Sequence, residues 1–346
     1  MRLKVLNVAY PFAPVGPDTA GGAEQILLTL DRALVAAGHV SHVMAEEGSQ
    51  LAGNLIAMPR ADVIDTRAKQ RVHAAYAAAL RQEAAKADVI HMHGVDFDAY
   101  LPPPGPPVLV TLHLPISWYA DLRPKRPRTF LHCVSASQHR EAAGVNLLPP
   151  IENGIDIEAF AGQEQKRGFA LMLSRICPEK GVHLALDAAR LAGIPLIIAG
   201  QVFRYAEHRD YFETEIVPRL DGARRYLGPV GPAHKRRLLK AACCVLIAST
   251  VPETSSLAAR EALAAGTPVI AFRRGALIDT IEEGTGFLVD DVAEMAAAIG
   301  RTREIDPQTC RALARRRFSD RDMIARYLDL YQRLACCDAP QFGDAA

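Results

Sequence analysis

Two α/β domains, each a parallel sheet with helices on both faces, are what this sequence predicts. Three observations carry that expectation. Short runs that are apolar throughout alternate with stretches of helical period across residues 3–134. Strands without a polar face belong to parallel sheets covered on both sides. The pattern then restarts at Phe169-Ala170-Leu171-Met172-Leu173-Ser174, after a polar segment at 162–168 that reads as a linker. The chain has 346 residues, enough for two domains with a core each.

In order, residues 3–9 form a buried strand, followed by a loop rich in Pro and Gly at 10–22. A helix over 24–37 is marked by Ile26, Leu27, Leu30 and Leu34 and stops at Gly38. Strands follow at 40–45, 55–58, 89–92, 108–112 and 130–134, with a helix rich in Ala and Arg over 66–87. Ser135-Ala136-Ser137 closes the last of these strands and caps a short helix. In the second half, strands are expected at 169–174, 195–199 and 243–248. Helices follow the first of these, cover 206–220, and occupy the stretch before Gly266. The last helix, 318–334, is amphipathic through Ile324, Tyr327, Leu328, Leu330, Tyr331 and Leu334, and 338–346 reads as a frayed tail.

Composition narrows the function. The net charge is +1, which gives no bulk attraction for nucleic acid. The seven cysteines show no CxxC spacing, and one adjacent pair, Cys243-Cys244, falls in a buried strand. That usage fits a reduced, cytoplasmic protein. The apolar start is punctuated by Pro11 too soon for a signal peptide, and no apolar run approaches the roughly 20 residues that span a membrane.

The chemistry is concentrated between residues 249 and 271. A buried strand runs out at Ser249 and Thr250, Pro252 resets the backbone, and a helix begins around Thr254, Ser255, Ser256 and Leu257 and stops at Gly266. A helix start at a strand end turns free N–H groups and a positive dipole end outward, which makes an anion site. Ligands of such sheets bind outside the carboxyl ends of the strands. Glu261 stands five residues beyond Ser256, roughly 7.5 Å of helix rise, within reach of a ribose whose diphosphate sits at the helix start. Glu253 lies on the loop in front. Arg175 and Lys180 follow the 169–174 strand on Arg175-Ile176-Cys177-Pro178-Glu179-Lys180-Gly181. Two cations there suit a diphosphate that gains charge as it leaves.

Glu253, seven residues, Glu261, then Ala-Leu-Ala-Ala-Gly-Thr-Pro-Val-Ile-Ala resembles the signature of retaining glycosyltransferases of family 4. Arg175, four residues, Lys180-Gly181 resembles that family's diphosphate loop. Asn153-Gly154-Ile155-Asp156 resembles its motif at the crossing between domains. The resemblance implies the GT-B fold, two Rossmann-like domains facing each other across a cleft. It implies boundaries of 1–160 for an acceptor-side domain and 161–318 for a nucleotide-sugar domain, with 319–336 a helix crossing back and 337–346 a tail. It implies transfer of a sugar, of hexosyltransferase type, from a nucleotide diphosphate sugar to an acceptor hydroxyl, with retention at the anomeric carbon.

The resemblance also assigns residues. Arg175, Lys180 and the helix start at Thr254 to Leu257 would hold the diphosphate, Glu261 the ribose and Glu253 the sugar. His93, the second His of His91-Met92-His93, would lie near the reacting centre, and His113 at the next strand end would line the same crevice. Gly21-Gly22-Ala23-Glu24 resembles the glycine loop beside donor and acceptor, with Gly22 on the donor and Gly21 towards the acceptor. Tyr226-Leu227-Gly228-Pro229-Val230 resembles the loop whose backbone reads the base. One departure stands out. The family carries Gly-Phe-Gly after the first Glu, where this chain has Thr254-Ser255-Ser256.

Other patterns carry weaker readings. His91, His93 and His113 lack the fixed spacing of a zinc set, and His91 is read as part of the crevice wall. Asp96-Phe97-Asp98 looks like a metal-binding D-x-D but falls on an acceptor-side loop, and no metal or other cofactor is expected. The run Arg123-Pro124-Lys125-Arg126-Pro127-Arg128 cannot be a helix face; it suits a solvated loop, an anionic acceptor or peripheral contact with anionic lipid, as do Arg67, Lys69, Arg71 and Arg81. Two rival functions share the motifs. One is a nucleotide-sugar epimerase of the same fold that turns over donor alone. The other is a non-catalytic nucleotide-sugar-binding module.

Overall fold

A computed structural model of the chain describes residues 1–162 and 164–336; the expected tail at 337–346 lies outside them. The elements run β1 (Lys4–Val8), α1 (Gly22–Ala36), β2 (Val40–Glu46), β3 (Asn54–Met58), α2 (Thr66–Glu83), β4 (Val89–Met92), β5 (Val108–Leu112), β6 (Thr129–Cys133), α3 (Ala136–Glu141), β7 (Ala170–Leu173), α4 (Val182–Leu191), β8 (Leu196–Ala199), α5 (Ala206–Tyr211), β9 (Arg224–Tyr226), α6 (Pro232–Ala241), β10 (Cys244–Ile247), α7 (Leu257–Ala264), β11 (Val269–Phe272), α8 (Leu277–Thr280), β12 (Gly286–Val289), α9 (Val292–Arg301), α10 (Pro307–Arg317) and α11 (Asp320–Cys336).

The chain divides into two units, Met1–Asn153 with the described part of Arg321–Ala346, and Gly154–Asp320. Both are doubly wound. The first sheet has the order β3-β2-β1-β4-β5-β6 and the second β12-β11-β10-β7-β8-β9, and every pairing is parallel. In each sheet the winding reverses between the first and fourth strands of the unit, β1 and β4 or β7 and β10. Crevices open at the carboxyl ends of such strands.

Apolar side chains alternate to both faces, as buried parallel strands require. On β10, Val245 and Ile247 join one core with Leu171, Val269 and Leu263. Cys244 and Leu246 join the other with Met172, Ile198 and Ile270. The unit boundary lies at Asn153-Gly154 rather than at 160. Ile155 and Phe160 already belong to the core of the second unit, so 162–168 lies inside that unit. Ile155 also pairs with the returning chain, its N–H donating to Phe318 O at 2.9 Å. Among the described residues no helix is long and apolar enough to cross a membrane.

Helix α11 is tied to the first sheet by a buried polar chain. His91 Nδ1 meets Tyr331 Oη at 2.7 Å, His91 Nε2 meets Thr111 Oγ1 at 2.7 Å, Thr111 Oγ1 meets His132 Nε2 at 2.7 Å, and His132 Nδ1 meets Cys133 O at 3.0 Å. A carbonyl accepts, so in neutral His132 it is Nδ1 that carries the proton. Every other proton then follows. Thr111 donates to His132 Nε2, His91 Nε2 donates to Thr111, and Tyr331 donates to His91 Nδ1. Both histidines are consumed as neutral rings.

Candidate functional site

In the second unit the two expected motif loops leave β7 and β10, the strands at which the winding reverses. They are locked together through the backbone. Thr250 N–H donates to Glu179 O at 2.8 Å. Gly181 has φ +60, and a Cβ there would lie 2.0 Å from Ala248 O, so only glycine closes the Lys180 turn against the end of β10. Gly275 acts likewise on the other side. It has φ +54, and a Cβ would lie 2.4 Å from Glu253 O, while Ala276 N–H donates to that oxygen at 2.7 Å. Glu253 is thus pinned through its backbone.

Its side chain meets three partners. Lys180 Nζ is 2.5 Å from Glu253 Oε1, Ser249 Oγ donates to the same oxygen, and Arg175 acts on it at longer range. Burial alone would raise the Glu253 pKa; Lys180, Ser249 and Arg175 outweigh it, and the carboxyl titrates below its ordinary value. Glu253 is therefore an anion at neutral pH, fit to accept hydrogen bonds or face positive charge but not to donate a proton. The Arg175 guanidinium lies over the Phe203 ring, 5.4 Å from its centroid. Glu261 is buried on α7 and paired with Lys235 of α6, Nζ to Oε1 at 2.5 Å.

The start of α7 differs from the expected hydroxyl cap. The helix begins at Leu257, and Ser256 at its N-cap makes no side-chain capping bond, because its backbone is left-handed at φ 50, ψ 75. That conformation costs an L-residue roughly 1–2 kcal/mol and is free to glycine, the residue the family pattern carries here. Ser255 Oγ is buried without a partner. The turn is held from beneath by fully buried Arg260, whose Nε donates to Ser255 O at 3.1 Å and whose guanidinium lies 4.6 Å from the Phe318 ring centroid. A helix start, a bare Ser255 hydroxyl and the cations of the Arg175–Lys180 turn are the kinds of group from which anion sites are built.

The first unit gathers its histidines at the ends of β4 and β5. His93 and His113 are buried, with Nδ1 of the first 3.0 Å from Nε2 of the second, and His93 Nε2 is buried with no partner. Burial first, then His113 and His132, holds the His93 pKa well below that of ordinary imidazole. The ring is neutral, with one nitrogen to offer. Gly21 is the extended residue before α1, and Gly22 begins that helix, exposed.

The D-x-D and the basic run are largely engaged in contacts within the first unit. Asp96 is taken by His73 at 2.6 Å and Tyr100 at 2.8 Å, and Asp98 by Lys125 at 3.4 Å. In the basic run, Arg126 is buried and donates to the carbonyls of Pro102, Pro103, Pro106 and Pro127, while Arg123 pairs with Asp121. Three contributors escaped the sequence reading: Lys235, Ser249 and Arg260. Arg260 alone left a signal, a cation beside Glu261 in a helix otherwise made of Leu and Ala.

The comparisons agree with this architecture. Residues 20–159 match the model of Glycosyltransferase Family 4, and residues 168–304 match that of Glycosyl transferases group 1. No curated protein matches the sequence. Among solved structures, AviGT4, a glycosyltransferase involved in avilamycin A biosynthesis, superposes with TM-score 0.71 at 24% identity, over 96% of this chain and 98% of that one. Anabaena HepE in complex with UDP and glucose gives 0.73 at 18%, over 96% and 100%. The sucrose-phosphate synthase of Thermosynechococcus elongatus gives 0.74 at 19%, over 96% and 99%. Two parallel six-stranded sheets of this order define a GT-B protein. The chain belongs to the group 1, family 4-type glycosyltransferases.

Proposed function

We propose that this transferase moves a sugar from a nucleotide diphosphate sugar to an acceptor hydroxyl with retention at the anomeric carbon. The observation that carries the reading is the joining of the two loops at the β7–β10 reversal, where Lys180 pairs with Glu253 beside the start of α7. The HepE complexes with UDP and with UDP-glucose support that class of donor. In this reading Arg175, Lys180 and the amides from Ser255 to Leu257 bind the diphosphate and neutralise the charge it gains on leaving. Glu261 accepts from the ribose, and Lys235 holds its carboxylate in place. Glu253, kept ionised, accepts from sugar hydroxyls and faces the positive charge that develops on the ring. His93 offers Nε2 to a hydroxyl, with its ring set by His113. Gly21 and Gly22 supply backbone to substrate, and the departing phosphate takes the acceptor proton.

The test is to incubate the protein with nucleotide sugars and acceptors in excess chelator and read the anomeric configuration of the product by NMR. Retained configuration is expected, with no requirement for magnesium or manganese. Inverted product, or loss of turnover that manganese restores, would overturn the mechanism. Turnover of donor alone with an inverted sugar carbon would indicate an epimerase instead.

The cations give a separate expectation. Arg175→Ala or Lys180→Ala should leave the fold intact and weaken nucleoside diphosphate binding by about 1.5–3 kcal/mol, the value of a lost charge-assisted hydrogen bond. Calorimetry measures this directly. Unchanged affinity in both variants would remove the diphosphate from this loop.

A further inference from the structure

The turn that carries Arg175 and Lys180 holds a second group of side chains that the transfer reading does not use. Cys177 and Glu179 on the turn and His208 on α5 place one ligand atom each, a sulfur, a carboxylate oxygen and a ring nitrogen, within 4.8 Å of one another. Cys177 is fully buried. Glu179 Oε2 and His208 Nδ1 are both buried and both without a hydrogen-bond partner. The Cys177 thiol is a hydrogen-bond partner of the Glu179 carboxylate and makes a longer contact, 3.9 Å, to Arg175 O. Buried polar atoms are nearly always satisfied, and one left bare destabilises the fold. A bare carboxylate oxygen and a bare ring nitrogen converging on a thiol already bonded to that carboxylate leave a place for one shared partner.

We propose that Cys177, Glu179 and His208 form a binding site for one thiophilic divalent cation, with zinc the best match, that ties the Arg175–Lys180 turn to α5. Thiolate sulfur, imidazole nitrogen and carboxylate oxygen are the ligands zinc takes, and three protein ligands leave a fourth position for water. Magnesium, which prefers octahedral oxygen ligands, is a poor match. Charge also decides. Arg175 lies near enough to act on all three side chains, so a dication beside it needs compensation. A thiolate and a carboxylate supply two negative charges, and the neutral imidazole adds none. Binding expels the thiol proton to water as the sulfur–metal bond forms. With bonds of about 2.0–2.3 Å the ligand atoms of a tetrahedral site lie about 3.5 Å apart, so closure needs side-chain shifts of about 1 Å. The cation would brace the turn without entering the transfer step, and the site does not depend on which sugar is moved.

Cobalt titration of the metal-stripped full chain tests this. The expected result is uptake of one cobalt ion per chain with a thiolate-to-cobalt charge-transfer absorption, bleached by zinc and not by magnesium. Cys177→Ser should abolish that absorption, and His208→Ala should weaken cobalt binding about 10-fold or more. An absorption that is absent, or undiminished in Cys177→Ser and so due to thiols such as Cys133, Cys243 or Cys336, would overturn the proposal. Should Cys177→Ser not fold, His208→Ala decides, because His208 is only partly buried: weakened cobalt binding upholds the site, and unchanged binding removes it.

Discussion

Glu253→Gln is expected to lower turnover by about 10²–10³, the scale of losing one preorganised electrostatic contact to a transition state, while leaving nucleoside diphosphate affinity intact or raised. Wild-type Lys180 is shared, because its ammonium rests on Glu253 Oε1 at 2.5 Å. Removing the carboxylate's charge releases that cation to the phosphates. A bare diphosphate carries no sugar for Glu253 to contact, so nothing is lost from its binding. Turnover suffers because the charge that faced the sugar in the transition state is gone. Glu261→Gln should fail in the opposite way. It removes the charged acceptor for ribose hydroxyls and frees Lys235, so diphosphate binding should weaken by about 1–3 kcal/mol. Calorimetry and a turnover assay on both variants separate the roles. If Glu253→Gln weakens diphosphate binding as much as Glu261→Gln does, the roles are assigned wrongly.

The parts legible in the sequence were those that local chemistry dictates. A strand such as Cys244–Ile247 is apolar at every position because both faces of the sheet are covered, and that pattern survives in one dimension. The Lys180-Gly181 turn was readable because the backbone there demands glycine. β9 was missed: as an edge strand it needs no apolar run, and Arg224-Arg225-Tyr226 provides none. Lys235 was invisible for another reason. Its pairing with Glu261 spans 26 residues and exists only because α6 packs beside α7. The cap at α7 went wrong because Ser usually caps through its side chain, whereas here the left-handed backbone of Ser256 precludes it. The boundary moved from 160 to 153 because the polar stretch at 162–168 looked like a linker, while the preceding Ile155 and Phe160 had already entered the second core.

Acid should unfold the first unit well before carboxylate protonation alone would. Burial lowers the His113 pKa to about 3 and that of His132 to about 4, with neighbouring His132 adding to the shift at His113. The ordinary value is about 6.5, so between the two the unfolded chain binds more protons than the folded one. Stability is therefore complete above about pH 6.5 and is lost progressively as pH falls towards 4 and 3. At pH 5 each of these two rings withdraws about 2 kcal/mol, about 4 kcal/mol together. Geometry adds to burial. A proton on His132 Nε2 would face the hydrogen that Thr111 donates, and one on His91 Nδ1 would face that of Tyr331, which breaks the chain tying α11 to the sheet. The sole tryptophan, Trp118, lies in this unit, so denaturant unfolding followed by its fluorescence reports the unit directly. The midpoint should fall steeply from pH 7 to pH 5, and His132→Asn should show about 2 kcal/mol less of that loss, whatever its stability at pH 7. Equal stability at the two pH values would mean that these rings are not held neutral, and the proton order along the chain would have to be abandoned.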